Sequence, residues 1–174
     1  MKSLGIAVLT VSDTRTRDTD RSGRVLIDCL EGAGHRLVDW RIVSDEMELL
    51  VDTLKQWVAD PDVQVILTTG GTGLTGRDMT PEAVRAVITK EIPGFGELFR
   101  WLSYAKIGTS TIQSRAVAGV AINTYVFALP GSPSACRDAW DDIICFQLDS
   151  DTKPCNLVQL IPRLEESGGG LNHG

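Results

Sequence analysis

The feature that most constrains this chain is an alternation between two apolar periodicities. Residues 4–11 form an unbroken run rich in Val and Ile, the composition of a strand covered on both faces. Residues 22–30 change period: Val25, Leu26, Cys29 and Leu30 fall on one side of a helix, which Gly32 and Gly34 close. The pattern then repeats. Residues 37–43 read as a second strand, and in 46–59 Leu49, Leu50, Thr53, Leu54, Trp57 and Val58 make a stripe at helical spacing. Residues 63–69 are another buried strand. Thr80-Pro81-Glu82 opens a third helix, with a Thr N-cap, Pro at the first helical position and an acid in the first turn. A helix around 95–104, a strand pair within 117–129 and a helix opened by Ser132-Pro133 complete the series. Strands alternating with helices predict a parallel sheet with helices on both faces.

The 174 residues suit one domain, long enough to bury roughly 70% of its unfolded surface around a single core. Seventeen basic against twenty-three acidic residues leave a net charge of −6, which argues against a nucleic-acid partner. The longest uncharged apolar runs are strand-length, short of the ~20 residues of a membrane span. The first residues enter a strand pattern with no small-residue cleavage site, so a cytoplasmic protein without a signal peptide is expected. Four cysteines include no Cys-x-x-Cys, and His35 and His173 are the only histidines, too few for a zinc site or His-driven nucleophilic catalysis. Chemistry here falls to carboxylates, arginines, backbone amides or a metal. From residue 165 on, with Gly168-Gly169-Gly170, a disordered tail is expected.

In open α/β sheets, ligands bind beyond the carboxyl ends of the strands. The loops that follow the predicted strands, 12–21, 44–45, 70–78 and 130–132, are all polar or glycine-rich. The loop Gly70-Gly71-Thr72-Gly73-Leu74-Thr75-Gly76-Arg77-Asp78 contains a literal Gly-x-Gly-x-x-Gly from Gly71 to Gly76. A dinucleotide motif would start its helix within those glycines and put Pro81 in the helix interior, at a cost of ~3 kcal/mol. A Walker loop fails as well, because Arg77-Asp78 stands where Lys-Ser/Thr is required. Two readings remain: a loop shaped for an anion, with Arg77 as counter-charge and Asp78 as metal ligand or base, or a plain tight strand-to-helix turn. Asp45, with Glu48 three residues on, reads as a helix-capping box. Seven charges crowd residues 13–24, as they do in solvated loops. Ser132 reads as a cap, and Gly131 beside it leaves a helix N-terminus that attracts phosphate. Trp40, Trp57, Trp101 and Trp140 read as core or subunit-interface residues.

Taken in order, Thr10-Val11-Ser12-Asp13, Ser22-Gly23, Val43-Ser44-Asp45-Glu46, Thr68-Thr69-Gly70-Gly71-Thr72-Gly73, Arg77-Asp78-Met79-Thr80-Pro81-Glu82-Ala83, Pro93-Gly94-Phe95-Gly96-Glu97, Ser114-Arg115 and Leu129-Pro130-Gly131-Ser132 resemble the molybdopterin-binding family, which includes molybdopterin adenylyltransferases. The likeness runs to about residue 163. Residues 107–119, Ala135-Cys136-Arg137-Asp138-Ala139-Trp140 and Lys153-Pro154-Cys155-Asn156 resemble its bacterial B-type branch.

The resemblance implies a three-layer α/β/α domain over residues 1–164, built on a mostly parallel sheet and assembled as trimers or hexamers. It implies binding of molybdopterin, a phosphorylated pyranopterin dithiolene. Active members then transfer AMP from ATP to its terminal phosphate with Mg2+; a non-catalytic molybdopterin carrier is the alternative. Asp45 and Asp78 match the two acidic positions of the transfer step and would hold the metal. Ser12, Asp13, Thr69, Gly70, Gly71, Thr72, Gly73, Arg77, Ser114, Arg115, Pro130, Gly131 and Ser132 match substrate-binding positions.

Overall fold

A computed structural model describes residues 2–166, so most of the tail expected from residue 165 lies outside the described residues. Six strands form one sheet in the order β2-β1-β3-β6-β5-β4. The strands are β1 (Gly5–Val11), β2 (Arg36–Val43), β3 (Val65–Thr69), β4 (Lys90–Glu91), β5 (Val117–Ala121) and β6 (Thr124–Leu129). β2, β1, β3 and β6 run parallel, whereas β5 pairs antiparallel with β6 and β4 antiparallel with β5. The sheet is therefore mixed at one edge. Only Ile122 and Asn123 separate β5 from β6, and Ile122 takes φ +55. So short a link can only reverse the chain, since a parallel return needs a crossover of a dozen residues. β4 carries no periodic signal in two residues and had no sequence forecast.

Side-chain alternation along the central strands divides the core in two. Ile6 and Val8 of β1, Val65 and Leu67 of β3, and Tyr125, Phe127 and Leu129 of β6 pack with α1 (Arg21–Gly32), α4 (Pro93–Ile107) and α5 (Pro133–Ala139). Ala7, Leu9, Ile66, Val126 and Ala128 face the other way, onto α2 (Met47–Val58) and α3 (Thr80–Val87). The result is three layers, α/β/α. Leu67 is fully buried, so truncating it to Ala would cost about 2–5 kcal/mol.

Helix starts follow capping chemistry, though not always at the expected residue. Asp20 caps α1 by accepting from the Gly23 amide at 2.9 Å, and also accepts from Trp40 Nε1 at 3.2 Å. Ser132 caps α5 as expected, accepting from the Ala135 amide at 3.2 Å. Thr80 does not cap α3: its hydroxyl donates across the preceding loop to the Gly70 carbonyl, 2.8 Å away. Helix α4 extends past the expected 95–104, because Lys106 and Ile107 complete a further turn before Gly108 at φ +57. Trp40, Trp57 and Trp140 are buried, while Trp101 stands exposed on α4.

The chain leaves β1 for β2 on one side and continues from β3 toward β6 on the other. The carboxyl ends of β1 and β3 therefore mark a switch point, where loops diverge and open a crevice. No helix among the described residues is long and apolar enough to cross a membrane.

Candidate active site

The loop after β3 is held by backbone approach that only glycine permits. Gly71 takes φ +68, and a Cβ there would sit 2.6 Å from Asp45 Oδ2 and 2.3 Å from Thr80 Oγ1. Gly131, after β6, lies against Gly70 so closely that a Cβ would meet its Cα at 3.3 Å. Thr69, fully buried at the end of β3, ties the two loops by donating from Oγ1 to the Pro130 carbonyl at 2.9 Å. Between them opens a cavity of about 530 Å³. Gly70–Gly73 and Asp78 form one wall, Pro130–Ser132 with Ser134, Ala135 and Asp138 a second. Phe99, Ser103, Lys106 and Ile107 of α4, with Thr111, Gln113 and Ser114 of the following turn, form the third.

The amides of Gly71 and Thr72 donate to no acceptor among the described residues. Successive free N–H groups around a positive φ make a concavity suited to an anion. The remaining charge is arranged around the same loop. Asp45 sits behind Gly71, and its Oδ1 accepts from the Met79 amide at 3.0 Å. That bond replaces the capping box read from sequence: α2 begins after Glu46 without a side-chain cap, and Asp45 is spent on a residue far along the chain. Burial pushes the Asp45 carboxyl up, and the charges of Asp78 and Asp13 push it the same way against the Met79 amide. Asp78 lies under Gly73, where a Cβ would come within 2.7 Å of its Oδ2. Partial burial raises its pKa, but the Thr75 hydroxyl and amide, donating to Oδ2 at 2.7 and 2.8 Å, hold it below the ordinary value.

Two charged pairs, Asp13 with Arg77 and Arg115 with Glu82, brace this arrangement from outside the cavity. Asp13 Oδ1 accepts from the Asp45 amide at 3.1 Å while its Oδ2 pairs with Arg77 at 2.6 Å. The Arg77 hydrogen bond, aided by the Asp45 amide, keeps the Asp13 carboxyl low. Arg115 clamps the loop from behind. Its Nε donates to the Gly73 carbonyl and its Nη2 to the Asp78 carbonyl, both at 2.7 Å. Nη1 meets Glu82, and the Arg115 amide donates to the Thr72 carbonyl at 3.2 Å.

The expected substrate-binding residues thus separate into two sets. Gly70, Gly71, Thr72, Gly73, Ser114, Pro130, Gly131 and Ser132 line the cavity, together with Asp78. Ser12, Asp13, Thr69, Arg77 and Arg115 do not, nor does Asp45, although it touches the wall through Gly71. Ser12 spends its hydroxyl accepting from the Thr14 and Arg15 amides, and Arg115 spends its guanidinium on carbonyls and Glu82. Conversely, Phe99, Ser103 and Lys106 went unforecast. They recur at helical spacing on one face of α4, and the two polar members on an apolar face were the available signal.

Two carboxylates at one loop match what Mg2+ asks of a protein when substrate phosphates complete its shell. Asp45 Oδ2 and Asp78 are the groups that would serve; burial first, and then the charges of Asp78 and Asp13, raise Asp45, and a divalent cation would offset that repulsion. Among the described residues, no group of three or more His, Cys, Asp or Glu gathers as a protein-only metal cage.

Comparison with known proteins agrees with this architecture. Residues 7–150 match the family model described as a probable molybdopterin binding domain. Molybdenum cofactor biosynthesis protein B of Escherichia coli (strain K12) is 53% identical over 152 residues, covering 87% of this chain and 89% of that protein. The protein of the same name from Bacillus subtilis (strain 168) is 46% identical over 142 residues, 81% of this chain and 84% of that one. A crystal structure of molybdenum cofactor biosynthesis protein B superposes with a TM-score of 0.85 at 40% identity, covering 95% of this chain and 98% of that one. A structure of MogA does so at 0.76 and 30% identity, covering 92% of this chain and 99% of that one. The free loop amides, the two acids beside them and these likenesses converge: the chain belongs to the MoaB/MogA-like, molybdopterin-binding family of molybdenum cofactor biosynthesis proteins.

Proposed function

We propose that the chain binds molybdopterin in the cavity beyond β3 and β6 and transfers AMP from ATP to its terminal phosphate. The observation that carries the reading is the placing of Asp45 behind Gly71 and Asp78 under Gly73, next to free amides at Gly71 and Thr72. In the reaction, an oxygen of the terminal phosphate attacks the α-phosphorus of ATP; the new P–O bond forms as the bond to pyrophosphate breaks. Two anions must be brought together, which calls for backbone donors and preorganised charge and needs no histidine. Asp45 and Asp78 would hold Mg2+, which when bound would supply charge neutralisation at the transferring group. Asp13 and Arg77 hold the Asp45 segment in place, and Arg115 holds the glycine loop.

The test is incubation with molybdopterin, ATP and Mg2+, reading adenylyl-molybdopterin and pyrophosphate. Both products are expected. Asp78→Asn should lower kcat by about 100-fold or more, the scale of losing a transition-state electrostatic contact, while pterin affinity changes little. Absence of both products, with a competent family member active in parallel, removes the transfer step. The carrier reading then remains, and it is favoured by the hold that Thr75 already has on Asp78 Oδ2.

Self-association, as a trimer or a hexamer, completes the proposal. Leu98, Trp101, Tyr104 and Ile112 leave an apolar strip exposed on α4 and the turn after it, the same elements that wall the cavity. The proposed compartment is the cytoplasm, supported by four free cysteines; burial pushes the Cys136 thiol up to about 12.

A further inference from the structure

Three charged residues line the cavity: Asp78, Asp138 and Lys106. Lys106 is the one cation among them, and nothing in the family motifs assigns it a role. It lies in the last turn of α4, and its Nζ reaches 2.6 Å to Asp138 Oδ1 near the end of α5. The pair joins the two helices that flank the cavity. It is also open to water, with the lysine side chain 54% and the aspartate 33% exposed. Ion pairs of this exposure gain little net free energy, so Lys106 can exchange partners at small cost. Asp138, Asp141 and Asp142 together make the field around the ammonium negative. An anion entering here meets two lining carboxylates and is repelled unless Lys106 turns to it.

Resting on the molybdopterin reading of this cavity, we propose that Lys106 is the cationic contact for the ligand's phosphate, released from Asp138 on binding. The chemistry suits an exchange of acceptors: one ammonium with three donors, held by a single carboxylate, lines the same cavity as the free loop amides. Asp138 then sets the selectivity of the site. It holds the lysine when the cavity contains a neutral pterin and gives it up to a dianionic phosphate.

The experiment is a fluorescence titration of the full chain with the oxidised, fluorescent pterin monophosphate obtained from molybdopterin, and with the same compound after phosphatase treatment. The wild-type protein should favour the phosphorylated form. Lys106→Ala should weaken that form roughly tenfold to a hundredfold, the scale of a charge-assisted hydrogen bond, and leave the dephosphorylated form unchanged. Lys106→Arg should restore affinity to within about threefold, and Asp138→Asn should tighten the phosphorylated form by removing the competitor. A structural role for the pair would shift both pterins alike. If Lys106→Ala keeps the wild-type preference for phosphate, the assignment of Lys106 is overturned while the cavity reading stands. If the wild-type protein binds neither form, the cavity reading fails and the assignment falls with it.

Discussion

Arg115 is where sequence resemblance and structure ask for different outcomes, so its replacement is informative. As a substrate contact, Arg115→Lys would weaken ligand binding and leave the fold alone. In the structure, the guanidinium bridges the Gly73 and Asp78 carbonyls at 2.7 Å each, and it also meets Glu82. An ammonium reaches one of those carbonyls but not both, because the planar fork is what spans them. Hydrogen bonds involving a charged partner are worth about 1.5–3 kcal/mol, so losing one carbonyl bond should cost that much. The Glu82 pair adds about 1 kcal/mol at most, since Glu82 is 40% exposed at its side chain. Urea denaturation should therefore show Arg115→Lys destabilised by about 2 kcal/mol, with Glu82→Gln costing less than half of that. Loosening the loop also frees Asp78, so turnover should fall with stability. An unchanged urea midpoint combined with lost pterin affinity would refute the clamp and restore Arg115 as a ligand residue.

Asp45→Asn should separate stability from activity. Burial and the charges of Asp78 and Asp13 raise the folded-state pKa of Asp45, so ionising it disfavours the folded state. Its destabilising contribution grows as pH rises from the unfolded carboxylate value of ~3.9 through the folded one and persists above it. Asn keeps an oxygen for the Met79 amide, so the variant should melt higher than wild type at pH 7 yet lose adenylyl transfer; a lower Tm would contradict the electrostatic account. Trp101→Glu, which places a charge on the exposed strip of α4, should reduce the mass measured by light scattering; an unchanged mass would remove that strip as the self-association surface.

The fold was legible where burial dictates the pattern. Residues 4–11 and 63–69 read as covered strands because both of their faces do meet helices, and the α2 stripe of Leu50, Leu54 and Trp57 is the buried face observed. The antiparallel edge was less legible: β4 is too short to carry a period, and the direction of β5 is set by a two-residue link. At the site, the glycine loop and the 130–132 segment announced themselves through conformational need. Asp45 did not, because its capping signature is local whereas its partner, the Met79 amide, is reached only through the fold. The bonds of Arg115 were hidden for a related reason. A lone arginine beside a serine carries no mark in the sequence of whether its donors face a ligand or backbone carbonyls. Lys106 lay beyond the expected helix, which stopped at 104, two residues short of it, whereas α4 runs on to Ile107 and carries Lys106 into the cavity wall beside Phe99 and Ser103.

Diffraction from crystals grown with molybdopterin bears most directly on the central assignment. The account predicts pterin density between Gly70–Gly73, Pro130–Ser132 and α4, with the terminal phosphate within hydrogen-bond reach of the Gly71 and Thr72 amides. Density seated elsewhere, or a phosphate turned away from those amides and from Asp45 and Asp78, would contradict it.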